Sequence, residues 1–161
     1  MHINIGLIKQ QKETLLHFKS DFKDKNFKMI NPLKEVHDFD VDLSIYLFDS
    51  YLNIKVKGVA KVSLISSYTL KVFDKEIDID DELEFTLDKD NIEYDYISTN
   101  EFEIDEYLFA LLVSSIPMVV YQEGETLPKG EGNYRVLSSK EYEEEEKLDP
   151  RLSKLDDIDI D

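Results

Sequence analysis

Between Val41 and Val56 branched aliphatic residues recur at every second position, with Val41, Leu43, Ile45 and Leu47 leading into Asp49-Ser50 and Leu52, Ile54 and Val56 leading out. Side chains of an extended chain alternate between two faces, so a period of two buries one face of each arm and leaves the other in water. The Asp49-Ser50 pair supplies turn chemistry between the arms. The pattern predicts an antiparallel hairpin, and any fold for this chain has to be built around it.

The same reasoning extends the sheet in both directions. Ile3, Ile5 and Leu7 predict a first strand near residues 2–8. The returning arm of the hairpin runs on through Val62 and Leu64 to about Ser66, with Gly58 read as a bulge. Leu70, Val72, Ile77, Ile79, Leu83, Phe85 and Leu87 supply one or two further strands. Asp78, Asp80, Glu82 and Glu84 alternate with them and fall on the solvent face. A calcium loop opening at Asp78 would need Gly and Glu where Leu83 and Lys89 stand, so the EF-hand reading fails. Residues 11–22 stay open: Leu15, Phe18 and Phe22 share a helical face, whereas Leu16 and Phe18 share a strand face. The lysine-rich residues 19–35, with Asn31-Pro32, read as a loop.

A helical pattern follows from Ile104 to Pro117. Asp105 reads as its cap, Glu106 suits the positive end of the helix dipole, and Pro117 stops it. Ile104, Leu108, Leu111, Leu112 and Ser115 share one side, widened by Tyr107 and Phe109, so this helix is expected to pack on the sheet. Met118 to Tyr121 reads as an edge strand, and Gly124, Pro128, Gly130 and Gly132 as a loose connection. From Ser138 onward four consecutive glutamates and few apolar residues predict a flexible acidic tail. Within it Leu148, Leu152 and Leu155 are spaced to form a small apolar face on a helix induced by a partner. A segment packed back on the domain explains the same spacing.

Composition removes whole classes of chemistry. The chain has no cysteine, which excludes thiolate zinc sites, disulfides and cysteine nucleophiles, and its three histidines, His2, His17 and His37, lack ligand spacing to one another. It carries no phosphate loop, nucleotide fingerprint or nucleophile elbow. Ser66 or Ser67 with His17 or His37 as base is a remote prospect, since isolated serines are ordinary in a β segment. No signal peptide and no apolar run long enough for a membrane helix are read, so a cytoplasmic location is expected.

Charge is the strongest functional signal. The net charge of −17 divides into +3 on residues 1–73 and −20 on residues 74–161. Nucleic-acid affinity comes mainly from cations that displace counterions, so the acidic half disfavours RNA and attracts a basic protein. Acidity that merely keeps the protein soluble explains the same count. Tyr46, Phe48 and Tyr51 beside Lys55 and Lys57 leave an RNA-contacting sheet face open as the alternative.

Three separated stretches then carry a family likeness. Leu52-Asn-Ile-Lys-Val-Lys-Gly58 through Ser66-Ser-Tyr-Thr69-Leu70 is similar to a strand, Gly, strand and Cys-x-x-Cys-Leu segment. Ile104-Asp105-Glu106 through Ile116-Pro117-Met118-Val119-Val120 is similar to a helix with an acidic start and a terminal Pro. Asp149-Pro150-Arg151-Leu152-Ser153-Lys154-Leu155 is similar to an Asp-Pro-Arg-x-x-x-Leu ending. In this order the chain resembles the YceD-like family of large ribosomal RNA subunit accumulation proteins over roughly residues 36–155. It departs from the family at Ser66 and Thr69, which stand where many members have the Cys-x-x-Cys pair, and it lacks later cysteines near 121–132. Hydroxyls are poor zinc ligands beside thiolates, so these two positions mark a degenerate metal motif.

The resemblance implies a non-enzymatic factor in the synthesis, processing or stability of large-subunit ribosomal RNA. The charge division adds a basic ribosomal protein or ribosome assembly factor as the partner, with ribosomal RNA reached indirectly. Asp149, Pro150, Arg151, Leu152 and Leu155 are the candidate partner-binding residues, and Lys55 and Lys57 the alternative RNA contacts. A generic acidic protein-interaction module is the remaining alternative. The fold expected is α+β: a single domain over residues 1–137, made of a mainly antiparallel, barrel-like sheet covered by one C-terminal helix, with the acidic tail over 138–161. No catalytic residue, cofactor, metal, membrane or small-molecule substrate is expected.

Overall fold

The structure is a computed structural model that describes residues 1–23, 27–97, 101–127 and residue 137. In chain order its elements are β1 (His2–Asn4), a 3-10 turn (Ile5–Leu7), β2 (Glu13–Ser20), β3 (Leu33–Phe48), β4 (Tyr51–Ile65), β5 (Val72–Thr86), β6 (Asp95–Tyr96), β7 (Glu101–Glu103) and α1 (Asp105–Ser115). The main sheet has the order β2-β3-β4-β5-β6; it is antiparallel except at β6, which runs parallel to the end of β5. A second, two-stranded sheet pairs β1 with β7. The expected α+β class with one helix after a mainly antiparallel sheet is observed.

The hairpin forms where alternation placed it and is longer than the alternation indicated. Phe48 pairs with Tyr51 across Asp49-Ser50, and Asp49 adopts φ 52°, a left-handed conformation that Asp adopts more readily than most residues; its backbone N–H and C=O both bond the Gln10 side chain. Val41, Leu43, Ile45 and Leu47 of β3 and Leu52, Ile54 and Val56 of β4 all point to one buried face. Phe18 joins them from β2, and Ile77, Ile79 and Phe85 from β5. α1 closes this face with Leu108, Phe109, Leu111 and Leu112, so it packs on the sheet as expected. Each such side chain removed from water contributes about 1.5–3 kcal/mol to holding the helix on the sheet. Phe22, Phe27 and Phe109 lock the helix against the loop after β2, with ring centroids 4.5–5.6 Å apart.

Several expectations are corrected. The sheet does not close into a barrel: among the described residues β2 pairs only with β3, leaving it as one edge. The first strand ends at Asn4 and the chain turns through Ile5–Leu7, which buries Ile5 and leaves Leu7 exposed. Residues 13–20 are strand, and the loop read over 19–35 gives way to β3 at Leu33. Gly58 is not a bulge, because its pairing with Val41 and Ile79 is in regular register. It is a close approach instead: a Cβ there would lie 2.1 Å from the Asp40 carbonyl oxygen. The register shifts occur in β3, at Lys34 and His37. Asp105 is not the cap; Ile104 takes that position, and Asp105 is buried in an ion pair with the Met1 amine. Met118 to Tyr121 forms no strand, though Val120 is buried. No helix among the described residues is long and apolar enough to cross a membrane.

Candidate functional site

Alternation in β5 separates its two faces, broken only at the exposed Lys75 and Asp81, which share the parity of Ile77 and Ile79, and at the buried Thr86. The pairing with β4 runs without a break from Tyr51 opposite Thr86 to Ile65 opposite Val72. Ile77, Ile79 and Phe85 therefore face the core, and Asp74, Glu76, Asp78, Asp80, Glu82 and Glu84 all face outward. On the neighbouring strand Lys61, Lys57 and Lys55 stand opposite Glu76, Asp80 and Glu82. Lys57 Nζ lies 3.0 Å from Asp80 and Lys61 Nζ 3.5 Å from Glu76. Six carboxylates thus face three lysines, and the outer face of β5 keeps a negative excess.

Toward β2 the outer face is ion-paired in the other direction. Lys19 bonds Asp38 and Asp40 at 2.8 and 2.7 Å, which raises the pKa of its ammonium and lowers that of Asp40. His17 Nδ1 lies 3.0 Å from Asp42. Two open depressions of 560 and 730 Å³ lie side by side on this face, sharing Ser44 and Lys55. Tyr46 and Tyr51 line the first and Leu15 and His17 the second. Burial and then its bond to Glu84 push the Tyr51 hydroxyl up to about 12, so it stays a proton donor to that carboxylate at neutral pH. The lysines read as RNA contacts lie within this face, with Lys57 neutralised by Asp80 and Lys55 flanked by Asp80 and Glu82.

A serine, a histidine and an aspartate do meet: His37 is one of the bases the sequence singled out, but the serine beside it is Ser63 and not Ser66 or Ser67. His37 Nε2 lies 2.7 Å from Ser63 Oγ, which donates to Asp74 Oδ1 at 2.6 Å. That bond, with His37 beside it, lowers the Asp74 pKa. In a catalytic triad the serine proton goes to the histidine and the carboxylate orients the opposite ring nitrogen. Here Asp74 accepts the hydrogen bond of the Ser63 hydroxyl and lies beside the same Nε2, 3.4 Å away. The triangle fastens the shifted part of β3 to β4 and β5; it does not raise the nucleophilicity of Ser63.

Ser66 and Thr69, the two positions singled out through the family likeness, come together with a third residue. Ser66, fully buried, donates to Glu125 Oε2 at 2.5 Å, and Thr69 donates to Glu125 Oε1 at 2.6 Å. The Gln122 amide adds a third bond at 3.1 Å. Ser66 Oγ also accepts the amides of Tyr68 and Thr69, which shapes the turn, and Leu70 leaves it at φ 59°. Ser67 exchanges bonds with the Val120 backbone, and Tyr68 stacks on Tyr121 with centroids 4.5 Å apart. Two hydroxyls and a carboxylate therefore join the β4–β5 turn to the segment after α1. The hydrogen bonds from Ser66 and then Thr69 hold the Glu125 carboxyl below its ordinary range.

Asp149, Pro150, Arg151, Leu152 and Leu155 lie outside the described residues, as does the acidic tail from 138. Glu125 was missed because one acidic residue among 36 carries no signal of its own. Among the described residues no three His, Asp or Glu side chains are grouped to hold a metal ion. No family model, no curated protein and no solved structure is found to match this chain.

Proposed function

We propose that this chain is a non-enzymatic factor that binds a basic ribosomal protein or assembly factor and thereby promotes the synthesis, processing or stability of large-subunit ribosomal RNA. The observation that carries the binding half of this reading is the outward row of β5, six carboxylates facing three lysines on the strand beside it. Such a field accelerates encounter with a cationic partner and repels phosphate. The ribosomal half rests on the likeness of the three sequence stretches to the YceD-like family. Direct RNA binding through Lys55 and Lys57 is the weaker reading, because Asp80 and Glu82 stand beside them. The test is depletion of the protein in growing cells with the ratio of large- to small-subunit ribosomal RNA followed over several generations. The proposal expects a selective fall of the large-subunit species. An unchanged ratio, with depletion verified, overturns the ribosomal half.

A further inference from the structure

β5 is also a sheet edge. Among the described residues β6 pairs only with Phe85 and Thr86, so from Val72 to Glu84 no strand bonds the side of β5 turned away from β4. An extended edge presents backbone N–H and C=O groups ready to pair with another strand, and proteins ordinarily block such edges by bulges, prolines or short length. This one is long, in unbroken register with β4, and has neither Pro nor Gly. What guards it is charge. On its outward face acidic side chains recur at every second residue, about 7 Å apart, and Asp78, opposite Val59, has no lysine across from it. A second copy of the chain laid along this edge would set carboxylate against carboxylate, which cross-strand pairing penalises. A strand carrying Lys or Arg at alternate positions would set an opposite charge against each one.

We infer that the β5 edge from Val72 to Glu84 is a docking site for an extended basic segment, which adds to the sheet as a further strand. The inference rests on the proposed function in taking the partner to be basic, and goes beyond it in naming the surface and the mode. Main-chain bonds would supply affinity common to any strand, and the alternate carboxylates would select the basic one.

The experiment uses the full chain and three probes: a synthetic peptide alternating lysine with threonine, the same peptide with its backbone amides N-methylated, and one alternating glutamate with threonine. Binding is measured by titration at physiological salt, and amide exchange is followed in β5. The first peptide is expected to bind and to protect the β5 amides that do not bond to β4. The N-methylated and glutamate peptides should bind at least tenfold more weakly. Asp78→Asn with Asp80→Asn should weaken the first peptide severalfold, whereas Asp88→Asn with Asp90→Asn, equal in charge but outside β5, should not. Equal binding of the lysine peptide and its N-methylated form, without β5 protection, overturns strand addition and leaves the basic-partner reading standing. Outer-edge amides already protected in the free chain overturn the inference too, since the edge is then occupied. No binding by either cationic peptide counts against both.

Discussion

Two positions show how much one side chain decides. At Ser66 a buried hydroxyl serves three acceptor or donor bonds at once, to Glu125 and to the amides of Tyr68 and Thr69. Ser66→Ala leaves those groups short of a partner, with an expected loss of about 1–2 kcal/mol, read from the shift of the urea midpoint. Glu125 titrates below its ordinary range when folded. The bonds it accepts from Ser66 and Thr69 therefore contribute in full above the unfolded carboxylate pKa and are lost as pH falls through the lower folded value. Acidification should unstack Tyr68 from Tyr121, followed by near-ultraviolet circular dichroism, and Glu125→Gln should abolish that pH dependence. At Gly58 the constraint is space. Gly58→Ala drives a methyl into the Asp40 carbonyl and Val41, and about 3 kcal/mol of destabilisation is expected, again from the urea midpoint. The two hydroxyls were singled out in the sequence, through the family likeness alone. Their carboxylate was not, because 56 and 59 residues separate it from Thr69 and Ser66, and no local pattern spans that distance.

Strands were legible where their alternation was clean. From Val41 to Leu47 and Leu52 to Val56 the buried residues fall at every second position, and there expectation and structure agree. The first part of β3 escaped because register shifts at Lys34 and His37 space its buried residues Leu33, Val36 and Phe39 by three. β2 stayed ambiguous because Leu15 faces outward on an edge strand, which puts an apolar residue where the pattern expects a polar one. β5 gives the alternation its sharpest test. Ile79→Asp sets an unpaired charge in the core and should cost more than about 3 kcal/mol. Asp78→Asn, one residue away on the outer face, should stay within about 0.5 kcal/mol. Chemical denaturation of the two variants checks this, and comparable losses would mean that β5 does not alternate as described.

Over the whole molecule the charge is divided, not diffuse, and the fold sharpens the division by placing one face of β5 in water as a row of carboxylates. By sequence, residues 138–161 carry further net negative charge. Fold class and helix position were readable from periodicity because both depend on one buried face. The open sheet was not, since closure depends on whether edges meet, which no single strand records. Deleting residues 148–161, which carry Asp149, Pro150, Arg151, Leu152 and Leu155, should reduce capture of a basic partner at an unchanged melting temperature. A large fall in melting temperature would assign Leu152 and Leu155 to packing on the domain. The central claim is that the chain recognises a cationic protein and not RNA. Its most direct test is titration of the purified full chain, at physiological salt, against purified large-subunit ribosomal proteins and separately against protein-free large-subunit ribosomal RNA. The account predicts saturable binding to at least one basic protein, weakening as salt rises, and none to the RNA. Tight binding to the RNA alone would contradict it.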